Sequence, residues 1–450
     1  MPTPKQIAED LWQRFWAAGV TDPIVAIEQI GYLILLRTLD LRAARSPDGT
    51  ASEAFSRHPL LVWSRLRGMS DKAALAQLEK DLIPFLVAAA GSESFARALA
   101  DSSFRPPQPK LARDCMAAIE DLDLPNNRQA AGEVFDELLD QLLLAGGRSG
   151  QVRTPPYLAE AMVDIVEPEP HQVVCDPAVG TGTFLVEASR QLEGGPGGLL
   201  GFDVAPDLVR IALINLLMHE APNPRITCAD TLSRGFKWPT VDVVVTNPPF
   251  AGNLDRREVH PGLELDTSRS DVLFLELCRR LLRPRGKAVL LVPEGVLFGR
   301  QRAYVEARRR WLTQGKVEAA VSLAPQVLGS NTTVQTAILV LRASGRTERV
   351  WFGRAQPADL GRLAAALRWR FGRDPRPSPP ARELGEHLWS ATLDEIGESG
   401  WSLAPSTYSP REVTFPEDEE PLELLRQAQA LAVGIEEELA SAESLLEDRP

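Results

Sequence analysis

Apolar residues along the first 145 positions recur every three to four places, the period of a helix with one buried face. "QIAEDLWQRFWAAGV" sets Ile7, Leu11 and Phe15 at four-residue steps, with Trp12 and Trp16 beside them. "DPIVAIEQIGYLILLRTLDLR" opens with Asp22 and Pro23, a side-chain cap followed by a first-turn proline. "DKAALAQLEKDLIPFLVAAA" and "AAGEVFDELLDQLLLAGG" repeat the pattern, and the second stops at Gly146 and Gly147, which suit a helix end. No strand-like alternation interrupts the stretch. It predicts an all-helical N-terminal domain over residues 1–147.

From about residue 150 short apolar runs alternate with helical segments. The runs "HQVVCDPAVG", "GGLLGFDV", "PRITCAD", "VDVVVTNPPF", "KAVLLVPEGVLF", "VEAAVSLA" and "TTVQTAILVLRA" read as strands. This grammar predicts an α/β domain over residues 148–372, a seven-stranded, mostly parallel sheet with helices on both faces and an antiparallel last pair. Residues 373–420 read as linker and tail, beginning with the proline-rich "RDPRPSPPAR". Residues 421–450 predict one long helix, in which Leu424, Ala428, Leu431 and Ile435 step by four, three and four. Such a helix needs a partner surface, either its own chain or another subunit.

Composition narrows the partners. The net charge of −12 argues against a chain that grips nucleic acid alone through a broad basic surface, but allows a local patch or a basic partner. The four cysteines, Cys115, Cys175, Cys228 and Cys278, lack metal-site spacing and read as free thiols in a reducing compartment. The start carries no apolar leader and no run reaches membrane-spanning length, so a soluble cytoplasmic protein is expected.

In parallel α/β sheets ligands bind beyond the carboxyl ends of the strands. Four candidates collect there. "DPAVGTGTFL" closes the first strand with Asp176 and Pro177 and turns into a helix through Gly180, Thr181, Gly182 and Thr183, where glycine allows close backbone approach. Its spacing is not that of a phosphate loop, and taken alone it is also an ordinary tight connection. Asp203 in "GFDVAP" suits ribose hydroxyls, though a strand-end acid taken by itself is more often a helix cap. Asp230 in "CADTLS" suits an adenine amino group, with Leu232 against the ring, or again a cap. "TNPPF" is the most specific: Pro248 and Pro249 stiffen the backbone and free its carbonyls from sheet pairing. The amide oxygen of Asn247 and the Pro248 carbonyl can accept from one amino group, drawing its lone pair out of ring conjugation. Phe250 offers a stacking face.

The order DPAVGTGTFL, GFD, CAD, TNPPF resembles the S-adenosylmethionine-dependent methyltransferases that act on adenine N6 in DNA, and more narrowly the modification subunit of type I restriction–modification systems. "GQVRTPPYLAEAMVDIV", "KVEAAVSLAPQVLGSNTTVQTAILVL" and "DEIGESGWSLAPSTY" are similar to further segments of that family. The resemblance implies a Rossmann-like methyltransferase domain between a helical N-terminal domain and a C-terminal helix. It implies that Gln151, Thr154 and Pro155 lie over the methionine end of the cofactor, with Asp176, Pro177, Gly180, Thr181, Gly182 and Thr183 forming the loop around it. Asp203 would hold the ribose and Asp230 the adenine. Asn247, Pro248, Pro249 and Phe250 would receive the flipped base. The implied partners are DNA and a specificity subunit met through the terminal helix; whether a restriction subunit joins them is left open. The loop "AGNLDRREVHPGLELDTSRS" reads either as a solvated loop or as a flap that touches DNA through Arg256, Arg257 and Arg269. A solitary or other phage-defence adenine methyltransferase, a protein-glutamine or RNA methyltransferase, and an inactive scaffold are the competing readings.

Overall fold

A computed structural model describes residues 2–46, 48–120, 122, 129–144, 153–192, 195–250, 252–328, 334–371 and 388–409. Helix α1 (Pro4–Ala17) starts where Thr3 and Gln6 exchange side-chain and backbone hydrogen bonds, a capping box. It buries Ile7, Leu11 and Phe15, while Trp16 faces solvent. Helix α2 (Pro23–Arg45) is capped by Asp22, whose carboxylate accepts from the Ile24 N–H at 3.0 Å. It is buried over most of its surface and runs through the middle of the helical segment. Helices α3 (Thr50–Arg57), α4 (Trp63–Gly68), α5 (Asp71–Ala90), α6 (Glu93–Leu99), α7 (Pro109–Glu120) and α8 (Ala130–Leu144) surround it.

The strands are β1 (Val173–Asp176), β2 (Gly198–Asp203), β3 (Arg225–Cys228), β4 (Val241–Thr246), β5 (Leu282–Pro293), β6 (Lys316–Leu323), β7 (Thr336–Arg342), β8 (Arg349–Ala355) and β9 (Leu388–Thr392). They form one sheet in the order β3-β2-β1-β4-β5-β7-β6-β8-β9. The first five in that order are parallel, and β7 runs antiparallel between β5 and β6. The sheet therefore has nine strands, not the seven expected. The two additions extend one edge: β8 adds parallel to β6, and β9 pairs antiparallel with β8. Glycine and arginine break the apolar pattern of "RVWFGRA", and serine and threonine that of "LWSAT", so neither carries a strong strand signal. A second correction concerns β5, which begins at Leu282 and ends at Pro293, so that "GVLF" is a helical turn, α13 (Gly295–Phe298), rather than strand.

Helices α9 (Pro156–Val166), α10 (Thr183–Gln191), α11 (Pro206–Met218) and α15 (Leu360–Arg370) share one apolar layer with the N-terminal helices. Helices α12 (Ser270–Leu281) and α14 (Arg302–Gln314) pack in the other. Contact between the helical segment and the sheet layer is close. A side chain added at Gly31 of α2 would meet Phe135 of α8 at 3.0 Å and Ile214 of α11 at 3.1 Å. Residues 1–408 form one compact unit. The expected caps Gly146 and Gly147, the whole proline-rich connector "RDPRPSPPAR" and the helix expected over 421–450 lie outside the described residues. Among the described residues no helix is long and apolar enough to cross a membrane. Strand order reverses between β1 and β4, which opens a crevice at their carboxyl ends.

Candidate functional site

Asp176 ends β1 in the interior, with 1% of its surface exposed. One carboxylate oxygen accepts from the Ala178 N–H at 3.0 Å and from the Thr246 hydroxyl at 2.7 Å. Burial pushes this carboxyl up to about 7; the two donors offset part of that, and the nearby negative charge of Asp203 adds to it. Thr246 is the last residue of β4, so a single hydroxyl ties the tip of β1 to the tip that carries Asn247.

The turn after Asp176 is built for a ligand's approach. Gly180 and Gly182 have φ of +51° and +85°, a left-handed conformation that suits glycine. A Cβ at Gly180 would meet nothing within 4 Å, so that side of the loop is open. A Cβ at Gly182 would meet Ala212 of α11 at 3.3 Å, so α11 backs the loop closely. Asn215 of α11 donates to the Thr181 carbonyl at 2.9 Å, and the hydroxyls of Thr181 and Thr183 lie 3.2 Å apart.

Asp203 at the end of β2 accepts from the Gly180 N–H on one oxygen and from the Ala205 N–H on the other, each at 3.0 Å. Burial raises its carboxyl above the ordinary range, and those backbone donors work against the rise. Each oxygen keeps a further lone pair for a ligand hydroxyl. The next residue, Val204, is 60% exposed. This bare apolar face beside the acid escaped the sequence reading, although "FDVA" placed it there. Asp230, after β3, accepts from the Leu232 N–H at 2.9 Å. Leu232 is buried in the core and does not present a face to a ring as expected. The Thr231 hydroxyl donates to the Pro177 carbonyl at 3.2 Å, fastening the third strand's loop to the first.

At the knuckle, Asn247 donates through its side-chain nitrogen to the Thr154 hydroxyl at 3.1 Å. Its amide oxygen is buried and has no hydrogen-bond partner. A buried acceptor left unpaired costs about 1–3 kcal/mol, so a group the structure does not contain is the natural partner. The Pro249 carbonyl accepts from the Ser270 hydroxyl at 3.2 Å, which braces the turn from α12. Pro248 is buried and Phe250 half-buried, the latter packed against the core. Pro155 caps α9, directly after Thr154. Gln151 lies outside the described residues.

The arginines of the following loop have local partners. Arg256 donates to the carbonyls of Leu265 at 2.8 Å and Thr267 at 2.7 Å, Arg257 pairs with Asp255, and Arg269 pairs with buried Asp271 at 2.9 Å. The loop is thus knit to itself and to α12. Two clefts of about 500 and 450 Å³ lie away from the constellation and are not lined by Asp176, Asp203 or Asn247.

The residues at these strand tips fit a nucleoside-bearing cofactor with a cationic end. The acid of Asp203 has free lone pairs beside an exposed valine, the Gly180 side of the loop is open, and the buried Asp176 carboxyl would gain a charge partner. Strand order, the glycine turn, the second-strand acid and the Asn-Pro-Pro-Phe tip together define an α/β methyltransferase fold. The chain belongs to the N-6 DNA methylase family, whose model matches residues 126–414. It is 30% identical over 223 residues to the methylase subunit of the type I restriction enzyme EcoKI of Escherichia coli strain K12, a match covering 42% of this chain and 41% of that one. It is 26% identical over 343 residues to the methylase subunit of StySJI of Salmonella typhimurium, covering 65% of this chain and 63% of the relative. The matches thus span roughly two-fifths to two-thirds of the relatives' length. Among solved structures, a chain of a type I restriction–modification system matches over 100% of both chains with a TM-score of 0.68 and 22% identity. The type I methyltransferase subunit of Streptococcus thermophilus matches with a TM-score of 0.68 and 19% identity, over 90% of this chain and 99% of that one. These two likenesses speak for the fold.

Proposed function

We propose that this chain transfers a methyl group to the N6 amino group of adenine in DNA, as the modification subunit of a type I restriction–modification complex. The observation that carries the reading is the buried, unpartnered amide oxygen of Asn247 at the tip of β4, tied through Thr246 to Asp176. Bound S-adenosylmethionine supplies an electrophilic methyl on a sulfonium. Asp203 would hold the ribose hydroxyls with its remaining lone pairs, Asp230 would accept from the cofactor's amino group, and the 180–183 turn with Asp176 would surround the methionine end. Thr154 and Pro155, with Gln151 before them in sequence, would close over that end.

Adenine N6 is a poor nucleophile because its lone pair is shared with the ring. Asn247 and the Pro248 carbonyl each accept one of its N–H bonds, which turns the nitrogen toward tetrahedral geometry and localises that pair. S-adenosylmethionine, when bound, would supply the methyl that this nitrogen takes, and the surplus amine proton would leave to solvent. Phe250 stacks on the extruded base, whose flipping costs a few kcal/mol. A chain of net charge −12 is poorly suited to hold a duplex alone, so base readout and phosphate contacts fall to a specificity subunit. The EcoKI and StySJI relatives, named as methylase subunits of type I enzymes, support this reading. Asn247→Ala should abolish labelled-methyl transfer to DNA while leaving cofactor affinity intact by calorimetry. Normal turnover in that variant would overturn the assignment, and transfer to a protein glutamine in place of DNA would reassign the substrate.

A further inference from the structure

We propose that Asp136, on α8 of the helical N-terminal segment, is a positioning residue that sets both the base-receiving amide and the cofactor turn. The inference rests on the function proposed above. Its first arm runs through Arg153, a residue whose side chain is only 1% exposed. The Arg153 guanidinium lies 2.7 Å from one Asp136 carboxylate oxygen, donates to the Asp136 carbonyl at 2.9 Å and pairs with Asp140 one turn later. The residue after Arg153 is Thr154, whose hydroxyl accepts from the Asn247 side-chain nitrogen at 3.1 Å. That bond decides which end of the amide is free: with the nitrogen engaged, the oxygen faces the amine. Arg153 therefore fixes the backbone that orients Asn247.

The second arm runs through His219, at the end of α11. Its Nε2 lies 3.1 Å from the other Asp136 carboxylate oxygen, at ion-pair distance though off the axis of a hydrogen bond. The backbone N–H of His219 donates to the Asn215 carbonyl at 3.1 Å, and the Asn215 side chain holds the Thr181 carbonyl of the cofactor turn at 2.9 Å. Room for the imidazole exists because residue 132 is glycine; a Cβ there would meet the ring at 2.6 Å. Burial alone would raise the Asp136 carboxyl, yet His219, Arg153 and Arg190 hold it below the ordinary range, so it stays charged. The helix does not need this carboxylate for its own docking, since Val134, Phe135, Leu138 and Leu139 of α8 are fully buried. Charge is placed here in addition to an adequate apolar face, where it adds direction rather than bulk adhesion.

The test uses the full chain assembled with the subunit that supplies sequence readout. Arg153→Ala should lower the single-turnover methylation rate about 10- to 100-fold at saturating cofactor, the scale of an ångström-level misplacement. Arg153→Lys, which keeps the charge but not the fork, should recover part of that loss. His219→Ala should instead weaken S-adenosylmethionine binding about 3- to 10-fold by calorimetry, the scale of one lost polar contact. Asp136→Asn should show both defects. As a control for mere destabilisation, Leu138→Ala should lower the denaturation midpoint with little change in single-turnover rate below that midpoint. Hydrogen–deuterium exchange supplies a readout independent of turnover: Asp136→Asn should speed exchange in peptides covering 153–158 and 246–254. Equal rate losses in Asp136→Asn and Leu138→Ala, or exchange unchanged in both peptides, would overturn the proposal. If the wild-type complex neither binds cofactor nor methylates DNA, the functional reading falls, and the exchange data alone decide whether Asp136 organises these segments.

Discussion

Asp176 retains its proton to about pH 7, roughly three units above an ordinary aspartate. In the folded, ligand-free chain the carboxyl is protonated between about pH 4 and 7, while in the unfolded chain it is ionised there. This group therefore lowers stability as pH rises across that window and has no further effect above it. A cationic cofactor favours the ionised form, so its affinity should increase from pH 6 to pH 8 and then level. Calorimetry in buffers of different ionisation enthalpy should record proton release near pH 6.5, and Asp176→Asn should flatten the dependence. Equal affinity at pH 6 and 8 in the wild type would refute this role. The motif residues at this scale, Asn247, Asp176 and Asp203, were legible because each stands in a short contiguous pattern at a strand end. Arg153, Asp136 and His219 were not, because their meeting depends on three elements packing together rather than on any local spacing.

At the level of elements, the turn from β1 into α10 is where sequence and packing agree most tightly. Gly182→Ala would force a left-handed backbone on alanine, about 1–2 kcal/mol, and press its methyl against Ala212 of α11. A lower denaturation midpoint together with weaker cofactor binding is expected; a variant equal to wild type in both would show that the turn adapts freely. The first four strands and their helices were readable because short apolar runs ending in turn residues alternate with helical periods. The reading failed where tertiary pairing outweighs local pattern. Strand β8 mixes glycine and arginine with apolar residues, and β9 mixes in serine and threonine, so each is a strand by virtue of its neighbour. The run after β4 misled in another way: Pro293 ends β5, and the apolar "GVLF" beyond it closes into a helical turn whose Phe298 is exposed.

For the whole molecule, acidity and partner dependence belong together. Removing residues 421–450, which lie outside the described residues, should leave cofactor binding intact and abolish co-purification with the specificity subunit. Undiminished co-purification would assign the contact elsewhere. The hydroxyl of Thr246 has a consequence for the order of events. Ionising Asp176 turns its bond to Thr246 into a charge-assisted one, shorter and stronger. Loading the donor side should then steady the stem beneath Asn247 before a base arrives, so that empty enzyme welcomes DNA poorly and charged enzyme welcomes it well. Thr246→Val would cut that wire, and a flipped-base fluorescence assay should find the variant indifferent to whether the methyl donor came first.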